Sequence, residues 1–137
     1  MDLDEARALL RTQHRAVLAT WRSDGTPQLS PVTAGVDEDG YVVISSRHTA
    51  YKVRNLRRDP RAYLCAFPDT FFGGRWVQVD GTVTVIDLPD ALEGLVEYYR
   101  RISGEHPDWD DYRAAMVRDR RVLLRMEITR AGPDRQG

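Results

Sequence analysis

Residues 75–86 read RWVQVDGTVTVI, and the fold turns on how that run is divided. Asp80-Gly81 has the composition of a two-residue hairpin turn. A turn there would set Val79 opposite Thr82 and mix valines with polar residues on both faces. Read without a break, Val77, Val79, Gly81, Val83 and Val85 share one face, and Trp76, Gln78, Asp80, Thr82 and Thr84 share the other. Side chains on a strand alternate with period two. The unbroken reading keeps that alternation and predicts one long strand bent at Gly81.

The flanking segments are shorter. Upstream, residues 4–13 have the spacing of a helix, with Leu3, Ala6 and Leu10 on one face and acids in the first turn. Strands are predicted over 15–22 (RAVLATWR), 28–36 (QLSPVTAGV) and 41–46 (YVVISS), separated by the turns SDGTP and DEDG. Pro31 interrupts the second of these, because it cannot donate to a ladder. A helix over 49–59 (TAYKVRNLRRD) stops before Pro60. A fourth strand, 61–67 (RAYLCAF), leads into a loop carrying Phe71 and Phe72. Downstream of the long strand, residues 90–103 form an amphipathic helix with Leu92, Leu95, Val96, Tyr99 and Ile102 inward. A further helix starts near Asp108, as its cap. The sixth strand is RVLLRMEIT, 121–129, and residues 131–137 are expected to fray. The pattern predicts a single domain over 1–137, mainly β with α (α+β), built as a six-stranded, mostly antiparallel β-barrel with short flanking helices.

Composition narrows the class. The chain is 42% hydrophobic and 30% charged with net charge −1. That is ordinary for a globular domain and argues against a nucleic-acid binder, which would be basic. No apolar run approaches the roughly 20 residues of a membrane span. The acidic, amphipathic start MDLDEARALLRTQH is unlike a signal peptide. The single cysteine, Cys65, excludes an internal disulfide and suits a reducing cytoplasm.

The charge is unevenly placed. Six cations and one acid, Asp59, fall between Arg47 and Arg61, and Lys52 is the only lysine among 20 Lys+Arg. Here a strand ends at Ser45-Ser46 and a helix follows, so free N–H groups, two hydroxyls, Arg47, Thr49 and Lys52 share one joint. Such a joint suits a phosphate. It equally suits a solvated basic helix face with Ser46 or Thr49 as cap. Elsewhere chemistry is sparse: His14, His48 and His106 lack metal-ligand spacing, and there is no phosphate loop, dinucleotide fingerprint or nucleophile motif. If the protein is an enzyme, a cofactor carries its chemistry.

Three pieces, LATxxxDGxPQLS, KxRNLRRDPRA and GEHPDWDDYRAAMVxDRRVLL, occur in order across residues 5–130. Together they resemble the pyridoxamine-phosphate-oxidase-like, FMN-binding split β-barrel proteins, and within them the actinobacterial branch that uses the deazaflavin coenzyme F420. The resemblance implies a homodimer with cofactor at the subunit interface, and an oxidoreductase passing a hydride between reduced F420 and an unsaturated small-molecule acceptor. FMN is the alternative cofactor, and a non-catalytic flavin carrier the alternative role. It puts Ser45, Ser46 and Lys52 at the cofactor phosphate, with Arg47 standing in for a basic residue that relatives carry where this chain has Ala50 and Tyr51. Gln28, Ser30, Pro31 and Val32 fall along the ring, and Ile44, Tyr51 and Asn55 on neighbouring cofactor positions. Trp76 and Gln78 fall where a partner subunit closes the pocket, the alternative for Trp76 being a core aromatic of a barrel strand. No catalytic side chain is identified; Tyr51, Tyr112 or water are candidate proton sources. The ending ITRAGPDRQG lacks the basic segment of true pyridoxamine-phosphate oxidases, which argues against vitamin B6 oxidation.

Overall fold

The computed structural model describes residues 1–70 and 72–136, the last three by backbone alone; Phe71 of the predicted loop and Gly137 of the predicted tail lie outside the described residues. Among the described residues there are seven strands and four helices. In chain order they are α1 (Leu3–Leu10), β1 (Arg15–Trp21), β2 (Pro27–Thr33), β3 (Gly35–Val36), β4 (Val42–Arg47), α2 (Tyr51–Arg58), β5 (Arg61–Phe67), β6 (Arg75–Ile86), α3 (Leu92–Ser103), α4 (Trp109–Arg118) and β7 (Arg121–Gln136).

The run 75–86 is one strand, β6. It pairs with β5 on one side and β7 on the other, antiparallel to both. Val77 and Val79 are fully buried on its inner face, and Trp76 and Gln78 lie on the other. The bend falls at Gly81. Asp80 pairs with Arg130 but Gly81 pairs with Ile128, so β7 carries Thr129 as an extra residue. Such a bulge raises twist and curves the ladder.

The strand order is β2-β1-β5-β6-β7-β4-β3. Its two edge strands, β2 and β3, are joined through the single residue Ala34. The edges must therefore lie side by side, and the sheet curls into a barrel. The buried N–H of Ala34 bonds to the carbonyl of His14 at 2.8 Å, which tucks the crossing against the start of β1. This crossing splits the predicted strand 28–36 in two and raises the count from six strands to seven. The predicted frayed tail is also revised: β7 continues to Gln136, paired with β6 back to Arg75.

Two apolar layers follow from the period-two alternation. Leu18, Val42, Ile44, Leu64, Val77, Val79, Leu124 and Met126 fill the barrel, with Ala6 and Leu10 of α1 and Val53 and Leu56 of α2 packed against them. On the other face of β4 and β7, Val43 and Leu123 meet Ala91 and Leu95 beside α3. α4 is capped by Asp108, which accepts from the N–H of Asp111 at 3.1 Å, as its sequence predicts. No helix among the described residues is long and apolar enough to cross a membrane.

Candidate functional site

A cleft of about 660 Å3 lies at one end of the barrel. The end of β2 supplies Pro31, Val32 and Thr33 to its lining, and the end of β4 supplies Ser45, Ser46 and Arg47. Ala50 and Lys52 line it at the start of α2, Tyr98 and Tyr99 on α3, Tyr112 and Met116 on α4, and Arg121 at the start of β7. No carboxylate is among these lining residues.

The cations gather because the fold brings three chain segments together. Arg47 and Arg121 are directly paired across β4 and β7, and Lys52 enters from α2 one turn beyond the strand. Among the described residues none of the three forms an ion pair, whereas Arg57, Arg61, Arg100, Arg113 and Arg125 each do. Burial, then the Arg121 charge, pushes the Lys52 ammonium below its ordinary range. The Nε of Arg121 is buried without a hydrogen-bond partner. The start of α2 has Ala50 as its cap residue and no side-chain cap. Ser46 donates to the Arg47 carbonyl at 3.2 Å instead, so Ser46 does not cap the helix.

The opposite wall is aromatic. Tyr98 donates its hydroxyl to the Thr33 carbonyl at 2.8 Å, and burial raises its pKa. Tyr112 donates to the Leu95 carbonyl at 2.9 Å; burial first, then the neighbouring Tyr98, push it up to about 12. Tyr99 packs on Tyr112 with ring centroids 4.9 Å apart, and His106 and Trp109 extend the cluster. These hydroxyls are committed donors to main chain, so Tyr112 is a poor proton source.

A second, smaller concavity of about 390 Å3 is lined by Arg22, Ser23, Gln28, Tyr51, Arg54, Asn55 and Arg58. Buried Asn55 ties α2 to the barrel: its Nδ2 donates to Thr20 Oγ1 at 3.1 Å and to Gln28 Oε1 at 2.8 Å. Gln28 in turn donates to Ser30 Oγ at 3.4 Å. Arg58 donates to the Trp21 carbonyl at 2.6 Å, and Arg54 lies over the exposed Tyr51 ring. Arg57, on the same helix, is held by Asp87 at 2.6 Å.

The sequence-derived residues therefore divide. Pro31, Val32, Ser45, Ser46, Arg47 and Lys52 line the cleft, while Gln28, Tyr51 and Asn55 line the second pocket. Ser30 belongs to the polar fastening of α2, and Ile44 is barrel core because it alternates with Val43 on β4. Trp76 and Gln78 lie outside both concavities, on the outer face of β6. Across that face Gln78 pairs with Cys65, Cys65 with Val17, and Val17 with the cleft residue Pro31. Leu29, Tyr63 and Phe67 on this face are exposed by 67%, 38% and 36%. Thr33, Tyr98, Tyr99, Met116 and Arg121 are cleft residues that the sequence did not reveal as such. Only the pairing of β7 with β4 places the last strand's first arginine beside Arg47.

The curled sheet, with its strand-to-helix joint and cationic cleft, is a split-barrel domain. A family model described as pyridoxamine 5'-phosphate oxidase matches residues 3–132, and the chain belongs to that family. Solved structures share the fold. A conserved hypothetical protein of Mycobacterium tuberculosis is 26% identical with a TM-score of 0.78, over 96% of this chain and 82% of that one. An F420 reductase is 23% identical with a TM-score of 0.69, over 92% and 94%. The heme storage protein HutZ of Vibrio cholerae is 17% identical with a TM-score of 0.73, over 100% and 98%.

Proposed function

We propose that the cleft holds the deazaflavin coenzyme F420 and that the protein is an oxidoreductase acting on an unsaturated small-molecule acceptor. The observation that carries this reading is a cleft with three unpaired cations at one end, an aromatic wall at the other and no carboxylate in its lining. Its volume lies within the range of roughly 300–1,000 Å3 typical of small-molecule sites. The residues fit a phosphorylated, ring-bearing group. Lys52, with Ser45, Ser46 and the uncapped start of α2, would hold the phosphate. Pro31 and Val32 would lie against the ring, with Tyr98, Tyr99 and Tyr112 bounding the space beside it.

When bound, reduced F420 supplies a hydride to the acceptor. The chain's own part is to orient the two reactants and exclude water. The Tyr98 and Tyr112 hydroxyls are held by carbonyls and Tyr51 lines the other pocket, which favours water over these three tyrosines as the proton source. F420 is favoured over FMN by the second pocket. FMN ends at its phosphate, whereas F420 carries a carboxylate tail, and Arg22, Arg54 and Arg58 line a concavity without acids at the same helix. The F420 reductase of the same fold supports this choice.

The outer face of β1, β2, β5 and β6 supports a homodimer. Exposed Leu29, Tyr63 and Phe67 form an apolar surface continuous with the cleft residue Pro31, the kind of patch that marks an association surface. A second copy on it would bring Trp76 and Gln78 toward its neighbour's cleft. The test is turnover of reduced F420, followed by absorbance, against quinones, enones and tetrapyrroles. Acceptor-dependent oxidation is expected. Tight binding with no oxidation across the panel would mark a carrier instead.

A further inference from the structure

We propose that Arg121 is a direct anion ligand of the cleft, its guanidinium taking one oxygen of a phosphate or phosphodiester while Lys52 takes another. The proposal rests on the reading of the cleft as a cofactor site, and it names a ligand which the sequence motifs leave out.

Three observations converge on it. First, Arg121 stands directly across the β4–β7 ladder from Arg47. Like charges placed opposite one another are unfavourable, and Lys52 adds a third positive charge to the same lining. Second, none of the three forms an ion pair among the described residues, and no carboxylate lines the cleft they share. Third, Arg121 Nε is buried and has no acceptor. A buried charged donor without an acceptor is costly, and nothing in the lining is a carboxylate that swings in to relieve it. A negative ligand entering the cleft would offset the three charges that line it. A phosphate group suits the arrangement because several oxygens meet several donors, and arginine supplies a planar fork where lysine supplies a point charge. The burial of Lys52 beside Arg121, which lowers its pKa, agrees with a site completed by a negative ligand.

The experiment titrates inorganic phosphate, FMN and F420 into the full chain and follows the Nε–H resonance of Arg121 by NMR, with affinities from calorimetry. Arg121→Gln and Arg121→Lys are titrated in parallel. The Arg121 signal is expected to shift and saturate with phosphate. Affinity should fall about tenfold or more in Arg121→Gln, and less in Arg121→Lys. An Arg121 resonance that stays still while phosphate saturates the protein overturns the proposal, and this readout in the unaltered chain decides even if Arg121→Gln fails to fold. Unchanged phosphate affinity in a folded Arg121→Gln overturns it too, as does the absence of phosphate binding. Phosphate binding through Arg121 with neither cofactor bound would leave this assignment standing and remove the cofactor reading. Binding of either cofactor with Arg121 unmoved would do the reverse.

Discussion

Substituting Gly81 with alanine places a methyl group where β6 and β7 touch. A Cβ built there lies 2.0 Å from the Glu127 carbonyl oxygen, 2.9 Å from its carbon and 3.1 Å from Met126 Cε. Ordinary contact begins near ~3.5 Å. The Met126 side chain can swing aside. The Glu127 carbonyl cannot, because Glu127 pairs with Thr82 in the ladder. The two strands must therefore part by more than about 1 Å at their middle. Overpacking a well-formed core costs about 1–3 kcal/mol, occasionally more, and a clash with backbone belongs at the upper end. At roughly 3–4 °C per kcal/mol for a domain of this size, Tm should fall by about 10 °C. Gly94→Ala is the control. Its Cβ meets Leu123 Cδ2 at 2.7 Å, the free end of a side chain, with its next contact at 3.9 Å. Alanine is also the better helix former by about 1 kcal/mol. Its net effect should stay within about 1 kcal/mol of zero. Thermal unfolding by circular dichroism compares the two. Equal, small effects would mean that β6 does not run against β7 at Gly81, and the hairpin reading of residues 75–86 would return.

Arg54→Ala should weaken F420 several-fold, more steeply at low salt, while barely changing FMN, because Arg54 lines the second pocket and lies over the Tyr51 ring with no ion pair among the described residues; equal loss for both cofactors in fluorescence titrations would remove its role in reading the tail. On the proposed homodimer, the wild type should run at twice 15.7 kDa by light scattering and Phe67→Asp at half that mass, since Phe67 lies on the exposed apolar face; a wild-type monomer would remove the dimer, and a dimer that persists in Phe67→Asp would move the interface elsewhere. Asp87 is held below its ordinary 3.8 mainly by its hydrogen bond from Arg57. Its contribution is thus complete above that value and lost as pH falls through the lower folded one. The Tm gap between wild type and Asp87→Asn should be steady near neutrality and close below about pH 4; a gap unchanged at pH 2 contradicts the pairing.

The barrel was legible because its strands alternate cleanly. Val77, Val79, Val83 and their polar neighbours forced one reading of β6, and Asp108 announced α4 through its capping chemistry. The crossing at Ala34 was not legible. Nothing local distinguishes a strand that stops for one residue from one that continues, and only closure shows that β2 and β3 occupy opposite edges. The tail was misjudged for a similar reason. Its polar, Gly-Pro composition looks like a frayed end, but β6 offers it a partner strand back to Arg75. At the site, the strand-to-helix joint gave Ser45, Ser46 and Lys52 from sequence proximity alone. The other half of the cleft comes from α3, α4 and β7, more than forty residues away, and its tyrosines read equally well as helix core. The basic run on α2 also proved to be divided by helix geometry: Arg57 is committed to Asp87, and Arg54 and Arg58 face the second pocket.

Binding of F420 by the cationic end of this cleft is open to direct titration. Absorbance and fluorescence titration of the purified chain with F420 and with FMN, repeated on Lys52→Ala, tests it most directly. Saturable F420 binding is expected at one equivalent per subunit, tighter than FMN, and weakened about tenfold to a hundredfold in a folded Lys52→Ala. Absence of F420 binding, or F420 affinity that Lys52→Ala leaves unchanged, would contradict it.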